Sequence, residues 1–281
     1  MNTILVPTDF SIQADNALKI AVDVARKTGA EIILVHVIEV EKTPRFVTSG
    51  SFIPNDGMDQ VFLMKLIEQA KQKLNKIENN DKYAGARISS EVRVGNLFKQ
   101  ISEILSERDI DLIIMGTKGI TGLFTAMTGS NTDKIVRSAK CMVLSVKDAP
   151  EHWQIRNVVL PTNFEDTSYK FIYNLKQLQK IFDFIIHIVY VNTLNEPKSD
   201  EEVKLLVKQF VKDHELSDYK THIVKNIYAG NGIMQKADEL NADMIAMVTH
   251  GRSALAQLIK RSITEDMIHE TKKPILSFNI S

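Results

Sequence analysis

The chain has 281 residues, of which 44% are apolar and 25% charged, enough for two ordinary domains with a core each. Lysine plus arginine and aspartate plus glutamate both number 35, and this balance excludes a broad basic surface for nucleic acid or anionic lipid. The one cysteine, Cys141, excludes an intrachain disulfide and any multi-cysteine zinc site. It suits a reducing compartment, and its apolar run Cys141-Met142-Val143-Leu144 reads as core.

The opening MNTILVPTDF has no basic leader and only a short apolar run, so it reads as neither signal peptide nor membrane span, and a cytoplasmic location is expected. Thr3 to Val6 is a predicted strand. Ser11 stands as the N-cap of a helix with Ala14, Leu18, Ala21 and Ala25 on one face, ended by Gly29. Glu31 to Val37 is a nearly continuous apolar run of the kind buried on both faces in a parallel sheet. Glu41 to Asp59, with Pro44, Gly50, Pro54 and Gly57, predicts a long loop, expected to be mobile and to act as a lid. Leu63, Ile67, Ala70, Leu74 and Ile77 then form a helical face. Arg87 to Val94 predicts a third strand, Leu97 to Arg108 a helix, Leu112 to Met115 a fourth strand, Asn131 to Ala139 a helix and Cys141 to Val146 a fifth strand.

Between the fourth strand and its helix lies MGTKGITGLFTAMTGS, spaced G-x-x-G-x9-G-S at Gly116, Gly119, Gly129 and Ser130. A glycine costs conformational entropy, so its use points to a positive φ or to close approach of another group. Ser130 precedes Asn131, a helix start whose free amides and dipole favour an anion such as phosphate. The same residues are equally compatible with glycines that shape a turn and a serine that only caps a helix.

The chain is then written a second time. Ile4-Leu5-Val6-Pro7-Thr8-Asp9-Phe10 returns at an offset of 154 as Val158-Val159-Leu160-Pro161-Thr162-Asn163-Phe164. Asp111 to Met115 and Cys141 to Ser145 return at an offset of 132 as Asp243 to Met247 and Lys273 to Ser277. The second unit is therefore 22 residues shorter in between, a loss expected mostly from the Glu41 to Asp59 loop. Its first helix is marked by Phe171, Leu175, Leu178 and Phe182, and the boundary falls in the polar stretch Lys147 to Ile155. Strands alternating with helices imply a doubly wound parallel sheet, in which ligands bind beyond the carboxyl ends of the strands where the strand order reverses.

The LVPTDFS opening, the LVHVIE second strand and the G-x-x-G-x9-G-S loop resemble the universal stress protein family in its tandem form, along nearly the whole chain. The resemblance implies an α/β fold: two tandem doubly wound five-stranded parallel-sheet domains, adenine-nucleotide alpha-hydrolase-like or Rossmann-like. They are expected at 1–147 and 156–281, packed as an intramolecular pseudo-dimer through the terminal strands. It also implies a stress-response regulator that binds ATP, with or without Mg2+. Pro7, Thr8 and Asp9 would flank base and ribose, the backbone of Val37 would meet the adenine edge, and Gly116, Gly119, Gly129, Ser130 and Asn131 would surround ribose and phosphates. Asp9 can accept from hydroxyls but would repel phosphates, which puts it on the ribose side, with capping of the first helix as its competing role.

The second unit departs from this pattern. Gly116 becomes Val248, Gly129 becomes Arg261 and Asp9 becomes Asn163, while Gly119 and Ser130 survive as Gly251 and Ser262. It is therefore expected to be structural or regulatory, with Arg252, Lys260 and Arg261 as solvated cations. His36, His187, His250 and His269 stand apart with no metal spacing, and no G-x-S-x-G elbow or Walker A motif occurs. No catalytic or metal-binding residue is predicted, any ATP hydrolysis should be slow, and a nucleotide-independent scaffold or chaperone-like module is the alternative. Expected partners are an adenine nucleotide and another protein or a second copy of the chain, not nucleic acid or membrane.

Overall fold

Short apolar strands, each followed by an amphipathic helix, can bury both faces only by pairing side by side beneath those helices. The computed structural model describes residues 1–39, 57–117, 131–148, 153–165, 168–194, 197–249 and 271–280. In chain order the elements of the first half are β1 (Thr3–Pro7), α1 (Ile12–Thr28), β2 (Glu31–Ile38), α2 (Gly57–Glu78), β3 (Arg87–Val94), α3 (Leu97–Glu107), β4 (Leu112–Gly116), α4 (Asn131–Ser138) and β5 (Met142–Val146). The second half follows with β6 (Asn157–Pro161), α5 (Tyr169–Phe182), β7 (Ile185–Asn192), α6 (Asp200–His214), β8 (Tyr219–Lys225), α7 (Ala229–Glu239), β9 (Met244–Thr249) and β10 (Ile275–Asn279).

The strands form one ten-stranded sheet in the order β3-β2-β1-β4-β5-β10-β9-β6-β7-β8. Pairing is parallel within each half, and the halves join where β5 meets β10 antiparallel. Leu144 faces Leu276 in that junction, flanked by Ser145 opposite Ile275 and Val143 opposite Ser277. Leu144 and Leu276 are equivalent under the 132-residue offset, so the pseudo-twofold axis passes between them. The junction converts two edge strands into central ones and hides their backbone groups.

With that axis normal to the sheet, equivalent helices fall on the same face. One hydrophobic layer lies under α1, α2, α5 and α6 through Leu18, Leu74, Phe171 and Phe210, and the other under α3, α4 and α7 through Ile101, Ile135 and Ile233. The aspartates that first revealed the repeat hold strand starts. Asp111 Oδ2 accepts from the amides of Asn2 and Thr3, and Asp243 Oδ2 accepts from those of Arg156 and Asn157. Trp153, in the connection between halves, is buried, donates its backbone amide to Asp23 Oδ2 and sets its ring 6.1 Å from Phe182, pinning the connection between α1 and α5.

Two expectations are sharpened. The stretch between the second strand and the next helix has 18 residues (39–56) in the first half against seven (193–199) in the second, and α2 has 22 residues against 15 for α6, so the helix shares the loss with the loop. The first turns of α2 leave Val61, Phe62 and Met64 exposed, and its first buried side chain among those described is Ala70, so a turn or more can be deleted without touching the core. The predicted loop also ends early, since Gly57 already opens α2, while its residues 41–56 lie outside the described residues. Among the described residues no helix is long and apolar enough to cross a membrane.

Candidate functional site

β1 pairs with β2 along five residues but with β4 only at Ile4–Leu112 and Leu5–Ile113. The sheet thus opens between the carboxyl ends of β1 and β4, where the strand order reverses, and this is the crevice that a doubly wound sheet offers to ligands. Pro7 ends β1 in a buried position, and the chain then turns through Thr8, Asp9 and Phe10. The Thr8 amide donates to Val35 O at 2.8 Å, Thr8 Oγ1 accepts from the Phe10 amide, and the Thr8 carbonyl accepts from His36 Nδ1 at 2.7 Å. His36 is the satisfied strand histidine that was expected, and the carbonyl partner fixes its proton on Nδ1. Phe10 adopts a left-handed backbone (φ 63°) and lies 4.5 Å from the His36 ring, with Lys73 Nζ 4.9 Å above the Phe10 ring. Sequence reasoning gave neither Phe10 nor Lys73 a place here.

Asp9 is exposed, and its Oδ1 accepts from the Ser11 amide at 2.9 Å, while Ser11 Oγ caps α1 by accepting from Ala14 N. In the second half Asn163 Oδ1 accepts from Glu165 N at 3.1 Å, Thr162 Oγ1 accepts from Phe164 N, and Phe164 is again left-handed (φ 70°) beside an aromatic, Tyr190. The same side-chain oxygen contact two residues on is thus made by a carboxylate in one half and by a neutral amide in the other.

Val37 lies two positions beyond Val35, the partner of the last residue of β1. Val35 O points toward β1, where it accepts from Thr8, and Ile38 O points toward β3, where it accepts from Gly95 N. Backbone groups alternate sides along a strand, so the N–H and C=O of Val37 face the side that β1 has left.

Gly116 was expected in the glycine loop but is the last residue of β4, opposite Val146. A Cβ placed there would sit 2.5 Å from Gln13 C, 2.6 Å from Gln13 O and 2.8 Å from Ala14 N, all backbone atoms of the first turn of α1. The absent side chain is thus explained by helix approach. Gly119, Gly129 and Ser130 lie outside the described residues, as do Gly251, Arg252, Lys260, Arg261 and Ser262. Asn131, partly buried, opens α4.

The second crevice is built differently. Val248 takes the place of Gly116, and α5 opens at Tyr169 with Ser168 as its cap, whereas the 154-residue offset maps Ile12 onto position 166. The side chain and the late helix start go together, since the glycine seat for a first turn is gone. Asn192 also closes the loop after β7, donating to Lys198 O at 2.6 Å and accepting from Lys198 N at 3.1 Å.

Elsewhere the histidines are not all isolated. His187 Nδ1 lies 3.0 Å from His222 Nε2 and His187 Nε2 lies 3.0 Å from Asn157 Oδ1, a pairing that strand separation hid from the sequence. With Asn157 Oδ1 accepting, His187 carries its proton on Nε2 and accepts from His222 Nε2–H. Burial lowers the pKa of both rings, helped for His187 by His222 and Lys220 and for His222 by Lys236 and Lys220. Among the described residues no group of His, Cys, Asp and Glu could hold a metal ion. Burial pushes the Cys141 thiol up to about 12, which leaves it protonated at neutral pH.

Comparison with known proteins gives the same picture. A model of the universal stress protein family matches residues 1–147 and again 154–278. The universal stress protein Slr1230 of Synechocystis is 26% identical over 298 residues, spanning 99% of this chain and all of the relative. Universal stress protein MJ0531 of Methanocaldococcus jannaschii is 31% identical over 144 residues, which are 51% of this chain and 81% of the relative. A universal stress protein crystal structure from Archaeoglobus fulgidus superposes with a TM-score of 0.76 at 20% identity, covering 100% of this chain and 99% of that one, a likeness of fold.

Proposed function

The chain belongs to the universal stress protein family, in tandem form, and from that premise we propose that domain 1–147 holds one adenine nucleotide while domain 156–281 acts as its structural or regulatory partner. The opening of the sheet between the carboxyl ends of β1 and β4 carries the proposal, with Asp9 exposed at its rim, where a carboxylate can accept from ribose hydroxyls. The backbone edge of Val37, facing the space beyond β1, can pair with the rim of an adenine ring, as a further strand would pair. Thr8 and Pro7 close the near side of that space, and the start of α4 at Asn131 offers amides to phosphate. The role is that of an ATP-dependent stress-response regulator, cytoplasmic, with slow hydrolysis at most. Gly119, Gly129 and Ser130 belong to the proposed site by resemblance alone.

A nucleotide-independent interaction module is the second reading, and the packing role of Gly116 favours it, because one motif glycine is accounted for without a ligand. Thermal denaturation with and without ATP and Mg2+ decides between them. Ligand at a hundredfold its Kd should add about 2.7 kcal/mol. Asp9→Asn keeps the acceptor that the turn uses, as Asn163 does, and should weaken ATP about fivefold through loss of a charge-assisted bond. Absence of any shift in the wild type overturns the nucleotide reading, and undiminished binding by Asp9→Asn removes Asp9 from the site.

A further inference from the structure

α4 has eight residues, so its two ends are only about 12 Å apart and whatever fixes one end fixes the other. The carbonyls of its last turn are left without helical partners, as at any helix end. Of the last four, Ile135 O accepts locally from Ala139 N at 2.8 Å. Those of Val136 and Arg137 are met from the second half. Asn279 Nδ2, at the end of β10, donates to Arg137 O at 2.7 Å, and the buried Thr249 Oγ1, at the end of β9, donates to Val136 O at 3.4 Å.

Resting on the reading of the first half as a nucleotide site, we propose that Asn279 and Thr249 are positioning residues for that site. By holding the C-terminal carbonyls of α4, they set where its N-terminal amides stand relative to the nucleotide phosphates. The second domain, whose own crevice has Val248 in place of glycine, thereby contributes to binding in the first. The repeat position of Asn279 is occupied by Lys147 in the first half, which has no side-chain amide to donate in this way. Ser277 provides an internal contrast. Its Oγ donates across the same junction at 3.2 Å, but to Val143 O of β5 and not to α4.

The test is ATP affinity by calorimetry, with unliganded melting temperature, for the full chain and for Asn279→Leu, Thr249→Val and Ser277→Ala. Asn279→Leu keeps the size and removes the donor, and it should weaken ATP about fivefold to tenfold. Thr249→Val, shape-conserving, should move affinity in the same direction by less, and it carries the test if Asn279→Leu does not fold. Ser277→Ala should lower the melting temperature with ATP affinity unchanged. Wild-type affinity in both α4 variants overturns the positioning role while leaving the nucleotide site intact. Equal weakening in Ser277→Ala also overturns it, because general loosening of the junction would then suffice. A wild-type chain that binds no ATP removes the site itself, and the positioning role with it.

Discussion

Replacing Gly116 by alanine separates two reasons for a glycine at this position. A Cβ there lies 2.5–2.8 Å from three backbone atoms of Gln13 and Ala14, where carbon contacts normally lie at about 3.5–4.0 Å. Relief requires α1 to recede by roughly 1 Å, and backbone in the first turn of a capped helix cannot swing aside as a side chain tip can. Overpacking of this kind costs about 1–3 kcal/mol, with the upper end expected here. Stiffening of the unfolded chain by the added methyl offsets about 0.4–1 kcal/mol. The net loss of about 2 kcal/mol should lower the melting temperature by roughly 4–8 °C in differential scanning calorimetry without any nucleotide. A glycine kept only for a ligand would leave the unliganded melting temperature unchanged. An unliganded Gly116→Ala chain that melts at or above the wild-type temperature therefore refutes the helix-seat account.

The paired histidines make stability depend on pH. Because the folded pKa values of His187 and His222 are lowered, the folded state binds fewer protons than the unfolded chain, so their contribution is present above about pH 6.5 and is lost as pH falls. Lys220, Lys236 and Glu239 are the charges around the pair. In melts between about pH 7 and pH 5, His222→Gln, which keeps a donor toward His187, should show a shallower decline, and an unchanged slope would remove the pair as the cause. Cys141 is half-buried with its thiol pushed up to about 12, so near neutral pH it should be alkylated much more slowly in the native chain than in the unfolded one; equal rates would contradict the raised pKa. Ser199 and Glu202 form a reciprocal capping box at the start of α6, so Ser199→Ala should cost about 1 kcal/mol, read as a melting temperature lower by a few degrees.

Much of the architecture was legible because periodicity and repetition are local properties of a chain. The offsets of 154 and 132 located equivalent strands, and Ser11 and Gly29 cap α1 as their residue types suggest. What escaped depends on residues distant in sequence. The reason for Gly116 lies in the backbone of Gln13, more than a hundred positions earlier, and the motif spacing favours a turn or a ligand equally well. The His187–His222 pair exists only because β7 and β8 are in register. Asn279 reads as one more polar residue at a strand end until the antiparallel junction brings it to α4. Asp9 was legible as a choice between capping and ribose, and in the structure the cap of α1 is Ser11, with Asp9 Oδ1 accepting from the Ser11 amide.

The central claim, one nucleotide site per chain in the first domain, is tested most directly by heat-denaturing purified, unsupplemented protein and quantifying the released nucleotide by chromatography. About one adenine nucleotide per chain is expected, since Val248 and the late start of α5 alter the second crevice. No nucleotide, together with no thermal shift on adding ATP and Mg2+, would contradict the claim and leave the first crevice a packing feature of an interaction module.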